Sequence, residues 1–226
     1  MLAEFIQKII DISKPATIVS PDGLTYVSGD YNPMLALEPR LILTSTLSSI
    51  IEIAPTLKID DLMIHIGSNR VDLIGPLLEV MNQRFTYASA IHSPLQHRFG
   101  QFLSLEDFII YIQSSFIHDD ETARMMKIVG NLTDEAIKNN KDDGVTQQVT
   151  MRTSVARVEN VDVKNPFVLR PFRTFHEIEQ PKSQFVLRMR QSQAAIFIAD
   201  YNNWQIEAIQ SIKEWFEPRT TMTLIG

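Results

Sequence analysis

The residues of this sequence with the greatest capacity for chemistry are arginines that cluster in one segment. Between Gly144 and Arg190 the chain carries eight basic and four acidic residues, so the segment has a charge of +4 while the remainder carries −10. The guanidinium group is a planar fork that pairs well with phosphate and carboxylate. We therefore interpret five arginines as candidate anion-binding residues: Arg152, Arg170, Arg173, Arg188 and Arg190.

Strand periodicity predicts where three of these arginines point. Apolar residues alternate with Arg188 and Arg190, and Met151 directly precedes Arg152. Neighbouring side chains in a strand face opposite sides of the sheet. Because the apolar side chains require a core, Arg152, Arg188 and Arg190 are expected to project from the same side of one C-terminal sheet. Three interpretations of this face stay open: a solvated face paired with nearby acids, a site for phosphate or nucleic acid, and a subunit interface.

The five histidines do not have the spacing of a metal site. No two of them lie four residues apart, the spacing that places two ligands on one face of a helix. His176 and Glu179 are three residues apart in a predicted loop. We interpret the histidines as surface or hydrogen-bonded residues, and we predict neither a bound metal nor a cofactor.

The sequence lacks the motifs that usually identify an enzyme. It has no cysteine, no glycine-rich phosphate loop and no G-x-S-x-G nucleophile motif. The acid pairs at 119–120 and 142–143 are interpreted as a helix cap and a solvated loop, because adjacent acids point in different directions. An active site assembled from scattered residues such as His176, Glu177 and Arg173 stays an alternative. Whether the protein is an enzyme is therefore uncertain, and the sequence favours a non-enzyme.

Hydrophobic periodicity predicts an α+β fold with antiparallel β-meanders, a central helix pair and a C-terminal helix. The first central helix is expected to begin at a capping box at Ser104, and the second at Asp119 or Asp120 and to run to about residue 139. Polar residues follow it. We expect one domain over residues 1–226, with a possible sub-boundary at 139–144 between an N-terminal β/αα half and a C-terminal β-meander plus helix.

Three further helices are expected outside the central pair. Leu2, Phe5, Ile6, Ile9 and Ile10 fall at helical spacing near the N-terminus. Another helix is expected to begin at a Thr46 cap and to stop before Pro55, and the C-terminal one is expected to begin near residue 202.

The composition is that of a soluble globular protein. Hydrophobic residues make up 44% and charged residues 21% of the chain. The net charge of −6 argues against attraction of the whole molecule to nucleic acid or to an anionic membrane. No apolar run approaches the ~18–20 residues of a membrane span, and no basic region precedes the first apolar stretch. We expect a cytoplasmic protein without membrane contact.

The sequence also resembles a known but uncharacterised family. The residues that carry the resemblance are VDVKNPFVLRPFRTFHEIEQPKSQFVLRMR, which follow a DDG turn and a helix with the sequence QFLSLEDFIIYIQ. They are similar to a phage and prophage protein family that includes the Escherichia coli prophage protein YfdQ. The family has no established activity, so the resemblance implies no catalytic residue. It implies a cytoplasmic, phage-encoded accessory protein that is not part of the virion.

These observations lead to three hypotheses. The first is a non-enzymatic interaction protein that acts on host proteins or on phage replication or recombination machinery. The second is a module that binds a nucleotide-like anion on its arginine face, which would counter host defence. The third is an enzyme whose active site is assembled from scattered residues such as His176, Glu177 and Arg173. A homo-oligomer is also expected, because the apolar face of the first helix needs a partner surface.

Overall fold

The computed structural model describes residues 2–13, 17–19, 21, 25–27, 39–78, 82–131, 146–154, 157–190 and 192–226. The helices are α1 (Leu2–Ser13), α2 (Leu47–Leu57), α3 (Leu105–Ser115), α4 (Asp120–Gly130) and α5 (Trp204–Phe216). The strands are β1 (Thr17–Val19), β2 (Thr25–Val27), β3 (Ile42–Thr44), β4 (Met63–Ile66), β5 (Arg70–Ile74), β6 (Thr86–Ile91), β7 (Leu103–Ser104), β8 (Thr146–Ser154), β9 (Arg157–Lys164), β10 (Phe167–Leu169), β11 (Ser183–Arg190), β12 (Gln193–Ile198) and β13 (Thr223–Ile225).

Five strands form a mixed sheet in the order β13-β4-β5-β6-β3. The central strands pair antiparallel, and each edge strand runs parallel to its neighbour. Ile64, Leu73 and Ala88 lie opposite one another and are buried in one core with α2 and α5. The parallel edges were not expected, because period-2 alternation indicates a strand without indicating the direction of its partner.

Four strands form an antiparallel sheet in the order β10-β11-β12-β7. Phe185, Leu187 and Met189 of β11 are buried in a second core, which they share with α3 and α4. Both helices of the predicted central pair therefore cover this sheet. The predicted α+β class, with its helix pair and C-terminal helix, is confirmed. The predicted extension of the second helix and the possible boundary at 139–144 lie outside the described residues.

The helix caps of the central pair lie at the predicted residues. The capping box predicted at Ser104 is reduced to a single cap bond, because the Asp107 carboxylate accepts the Ser104 hydroxyl and not its backbone N–H. The hydroxyl of Ser104 accepts the backbone N–H of Asp107 at 3.1 Å. Asp119 and Thr122 form a reciprocal capping box, in which each side chain accepts the other residue's backbone N–H. All three bonds satisfy backbone N–H groups that have no partner within the helix.

Helix α2 differs from its prediction at both ends. Thr46 is the N-cap residue, but its hydroxyl bonds the hydroxyl of Ser49 and makes no cap bond to the backbone. Pro55 lies inside the helix, which continues to Leu57, so the predicted stop was wrong. Proline removes one backbone donor and crowds the carbonyl four residues earlier, and the helix ends two residues after it. Lys58 then ends the helix in the left-handed conformation, with φ 53°.

The expectation that three arginines share one sheet was wrong for Arg152. Strands β8 and β9 pair only with each other among the described strands, so Arg152 lies in a two-stranded sheet of its own. Arg188 and Arg190 lie on β11 in the four-stranded sheet, on the face opposite its buried residues. Their parity was predicted correctly. The placement of Arg152 on the same sheet was wrong, because alternation along a strand does not determine which strands pair.

A core substitution in α3 tests the second core. Ile112 has no exposed surface, whereas Ile110 on the same helix is 53% exposed. We expect Ile112→Ala to lower the free energy of unfolding by about 2–5 kcal/mol, since it leaves a cavity. Ile110→Ala should change it by less than ~0.5 kcal/mol, as at ordinary surface positions. Urea denaturation of both variants provides the measurement, and equal midpoints would contradict the packing described.

Candidate functional site

The chain between β10 and β11, which we call the 170–182 segment, connects the two cores. Its first residues bond the end of α3: Phe172 N–H donates to the carbonyl of Ser115 at 3.0 Å. The Thr174 hydroxyl donates to the carbonyl of Ser68 at 2.6 Å, between β4 and β5. Phe175 is fully buried in the core of the five-stranded sheet. The segment therefore touches both sheets within a few residues.

The side chain of Gln180 holds this segment in shape. Its Oε1 accepts the backbone N–H groups of Arg173 at 2.9 Å and Thr174 at 3.2 Å. Its Nε2 donates to the carbonyls of Thr174 at 3.3 Å and Phe175 at 3.0 Å. Gln180 is buried, and its amide satisfies four backbone groups that have left water.

Glu177 of the same segment caps a distant helix. Its carboxylate accepts the backbone N–H of Ser48 at 3.1 Å and the Ser48 hydroxyl at 3.3 Å. A negative charge at the N-terminus of α2 is favourable because the helix dipole is positive there. The histidine beside it, His176, packs its ring against His92 with the centroids 5.4 Å apart. Glu177 therefore has a structural role. This weakens the hypothesis of an active site assembled from His176, Glu177 and Arg173.

Arg173 is the predicted anion-binding residue with the most unusual surroundings. It is 3% exposed, and three rings surround its guanidinium. The guanidinium carbon lies 5.0 Å from the ring centroid of Phe99, 5.4 Å from that of Phe185 and 5.1 Å from that of Trp204. Distances below ~6 Å allow cation–π attraction. Its Nη1 donates to the Ser183 hydroxyl at 3.0 Å.

The other terminal nitrogen of Arg173 is buried without a hydrogen-bond partner among the described residues. Burial lowers the pKa of Arg173 to about 10, although the charge of Asp200 opposes the shift. The side chain therefore stays cationic at neutral pH. Asp200 also has one buried, unpartnered carboxylate oxygen within the described residues, while its Oδ2 accepts the N–H of Gln184 at 2.8 Å.

His97 stands beside this arginine as a neutral ring. Its Nε2 lies 3.1 Å from the carbonyl of Phe172, and because a carbonyl only accepts, this nitrogen carries the proton. Its Nδ1 then accepts the hydroxyl of Tyr111 at 3.2 Å. Burial lowers the pKa of His97; the bond to Phe172 opposes this, and the Arg173 charge adds to it. Burial likewise raises the pKa of Tyr111 to about 12, so the phenol keeps its proton.

A small pocket opens beside Arg173, and we call it the Arg173 pocket. Its volume is about 330 Å³. The residues that line it are Ser68, Asn69, Pro94, Leu95, His97, Phe99, Arg173, Ile198, Asn202, Trp204 and Gln205. Asn202, Trp204 and Gln205 belong to the start of α5, which brings the positive end of the helix dipole to the pocket. Within this described lining there is no carboxylate.

The remaining candidate arginines lie elsewhere. Arg170 is paired with two acids, at 2.6 Å from Glu179 and 3.3 Å from Asp119. The Arg190 guanidinium lies 3.7 Å from the ring centroid of Phe102. Among the described side chains, those of Arg170, Arg188 and Arg190 do not line the Arg173 pocket. Sequence reasoning also missed His97, Phe99, Trp204 and Gln180, and no local pattern distinguishes these residues from ordinary core or loop positions.

A larger, open groove of about 1120 Å³ lies at the C-terminal ends of α2 and α5. Its two described arginines already have carbonyl partners. Arg84 Nη1 donates to Gly75 at 3.0 Å, and Arg219 Nη1 donates to Trp215 at 2.6 Å. The groove therefore lacks the buried, unpaired donor that distinguishes the Arg173 pocket.

Comparisons with known proteins identify no relative. No family model, no curated protein and no solved structure matches this chain. The described residues contain no group of three or more histidine, aspartate or glutamate side chains arranged to hold a metal ion. None of the described helices has the length and apolar character needed to cross a membrane.

Replacing Gln180 tests its role in holding the segment. Gln180→Leu keeps a similar volume but leaves two N–H groups and two carbonyls without their partner. Each unsatisfied buried group costs about 1–3 kcal/mol, so we expect a loss of several kcal/mol in the free energy of unfolding. Gln184→Leu, at an exposed position on β11, is the matched control. Chemical denaturation checks both, and a Gln180→Leu protein as stable as the parent would refute this role.

Proposed function

We propose that this protein is a non-enzymatic binding module that holds a small anionic ligand in the Arg173 pocket. One observation carries the proposal: a buried guanidinium beside the pocket has an N–H group without an acceptor in the described part of the chain. A buried donor without a partner costs about 1–3 kcal/mol. An oxygen of a bound anion would remove that cost and would meet a positive charge that Asp200, which makes no hydrogen bond to it, offsets through space.

The ligand must displace a side chain to reach this donor. The Nη2 atom is covered by the side chains around it. Trp204 is half-buried on the first turn of α5, and its ring is one of the three around the guanidinium. Side-chain rotation on binding is common even where the backbone stays in place. We therefore expect Trp204 to turn away from Arg173 when the ligand enters.

A binding role fits the pocket better than catalysis does. Both nitrogens of His97 are engaged, one with Phe172 and the other with Tyr111. A general base needs a free nitrogen within reach of the substrate. The described lining residues offer no other group that would accept a proton near neutral pH.

Replacing Arg173 separates binding from folding. Arg173→Met keeps a long, flexible side chain that packs well against aromatic rings and removes the unpaired donor. We expect the variant to stay folded and to lose anion binding, measured by isothermal titration calorimetry with acetate, inorganic phosphate, mononucleotides and single-stranded DNA. Binding by the parent should weaken as the pH rises through about 10, where Arg173 loses its proton.

Arg190→Met is the matched control, since it removes an exposed arginine from the neighbouring sheet. It should bind as the parent does. Absence of binding by the parent for every anion, at low salt, would refute the proposed function.

The cellular setting of this role rests on the family resemblance. We propose that a phage or prophage encodes the protein and that it acts in the bacterial cytoplasm as an accessory protein. Capture of a nucleotide-like signal would counter host defence. Interaction with host proteins, or with phage replication or recombination machinery, is the other form that this role would take.

A second candidate function, protein interaction through α1, has its own supporting observation. The apolar residues Leu2, Phe5, Ile6 and Ile9 are 75%, 64%, 48% and 51% exposed. They fall at helical spacing, so they form one apolar stripe. Exposed apolar patches commonly mark interaction surfaces. A second copy of the chain is the simplest partner, and it would give a homo-oligomer.

Light scattering tests this second candidate. We expect the parent to have a multiple of 25.8 kDa at micromolar concentration. The double variant Phe5→Asp and Ile9→Asp should reduce the mass to 25.8 kDa, since it places charges in the stripe. Ile206→Asp, at a position 72% exposed on α5, is the control and should leave the mass unchanged. A monomeric parent would sink the homo-oligomer.

A further inference from the structure

We infer that the ligand of the Arg173 pocket is a carboxylate with a compact apolar body, rather than a phosphate or a nucleotide. This inference rests on the proposed function and specifies its ligand. Three features of the pocket lead to it: the amount of positive charge, the number of free donors and the chemistry of the walls.

The charge around the pocket favours at most one negative charge. Arg173 is the single cation among the described lining residues, because His97 is held neutral, and the charge of Asp200 acts on it from outside the lining. A carboxylate carries one charge at neutral pH and would form one ion pair. A phosphate monoester carries up to two, and the second would be left without a partner among aromatic rings, where unpaired charge is costly.

The start of α5 has too few free backbone donors for a phosphate site of the kind found at helix N-termini. Phosphate sites at helix N-termini use several free backbone N–H groups. At the start of α5, Gln205 N–H donates to the carbonyl of Asn202 at 3.0 Å, and Ile206 N–H donates to that of Asn203 at 3.1 Å. Glu207 N–H donates to Asn203 as well. The first turn therefore contributes its dipole but few backbone N–H donors. The other donors of the lining are side-chain groups of Ser68, Asn69, Asn202, Trp204 and Gln205, beside the unpaired nitrogen of Arg173.

The walls fit an apolar body of limited size. Pro94, Leu95, Phe99, Ile198 and Trp204 contribute apolar surface to the pocket. Its volume of about 330 Å³ is at the lower end of the ~300–1,000 Å³ that ligand pockets span. One ring or branched chain beside a carboxylate is of a size suited to this space.

The same chemistry has two possible sources. A free aromatic or branched-chain carboxylic acid presents it, and so does the last residue of a peptide that ends in phenylalanine or leucine. In both, the carboxylate pairs with Arg173 and the apolar group packs between Phe99 and Trp204. The two differ in what continues beyond the pocket mouth, so the same set of probes can separate them.

The experiment compares probes of matched shape. Phenylacetate, its neutral analogue phenylacetamide, phenyl phosphate, adenosine monophosphate, and a tripeptide ending in phenylalanine with a free or an amidated C-terminus are titrated by calorimetry. Trp204 fluorescence in a Trp215→Phe protein gives a second readout, since Trp204 and Trp215 are the two tryptophans of the chain. The calorimetry uses the parent, so the inference stays testable if Trp215→Phe unfolds.

We expect phenylacetate or the free-acid peptide to bind about tenfold or more tightly than its neutral analogue, because the charge-assisted bond is lost in the analogue. The fluorescence of Trp204 should change at saturation, and Arg173→Met should abolish both signals. Binding by the peptide but not by phenylacetate would support the inference with a peptide terminus as the source, and the reverse would support a free acid.

Two other results would overturn the inference. Tighter binding of phenyl phosphate or adenosine monophosphate, lost in Arg173→Met, would refute the carboxylate while leaving the anion-binding function in place. Absence of Arg173-dependent binding for every probe would refute the inference and the proposed function together.

Discussion

The buried side-chain amide of Gln180 is the interaction on which the rest of this structure depends. It forms four hydrogen bonds to the backbone of residues 173–175 and so determines the path of the chain between the two sheets. From that path, Phe175 enters one core and the Arg173 side chain enters the aromatic surroundings of the other sheet. Without the amide, the backbone groups would need water, and a hydrated segment could not lie between packed cores.

Burial removes the hydration of the Arg173 guanidinium, and the contacts around it offset only part of that free-energy cost. The three rings and the Ser183 hydroxyl compensate for lost hydration, yet one nitrogen has no acceptor among the described residues. Native proteins leave few buried polar groups unpaired, and each exception calls for an explanation. Exceptions are expected at functional sites, where local rules are broken and other contacts compensate. The bound anion that we propose supplies such an explanation.

The position of the Arg173 pocket follows from the path of the chain from the four-stranded sheet to the core of the five-stranded sheet. Strand β12 belongs to the four-stranded sheet, and α5, which follows it, packs in the core of the five-stranded sheet. The start of α5 therefore lies where the two meet, beside the 170–182 segment. Clefts between packed units are frequent ligand sites, because side chains from both sides can converge there. Here Asn69, from the turn between β4 and β5, and Ile198, from β12, line the same space.

The sequence by itself determined the features that depend on neighbours along the chain. The capping residues Ser104 and Asp119, the buried stripes of α3 and α5 and the parity of Arg188 and Arg190 all follow from local periodicity and local hydrogen bonding. These properties require only a helical or strand backbone, so a single sequence is enough to predict them.

Only the tertiary structure decided which elements meet, and with that the candidate site. The bond from Thr174 to Ser68 spans 106 residues, and the one that caps α2 with Glu177 spans 129. No periodic pattern encodes such pairs. Arg173 was a candidate on its residue type, and nothing in the sequence indicated that it would be buried. Its burial beside His97, Phe99 and Trp204 arises because Gln180 turns the backbone inward at a place where the sequence shows neither helical nor strand alternation.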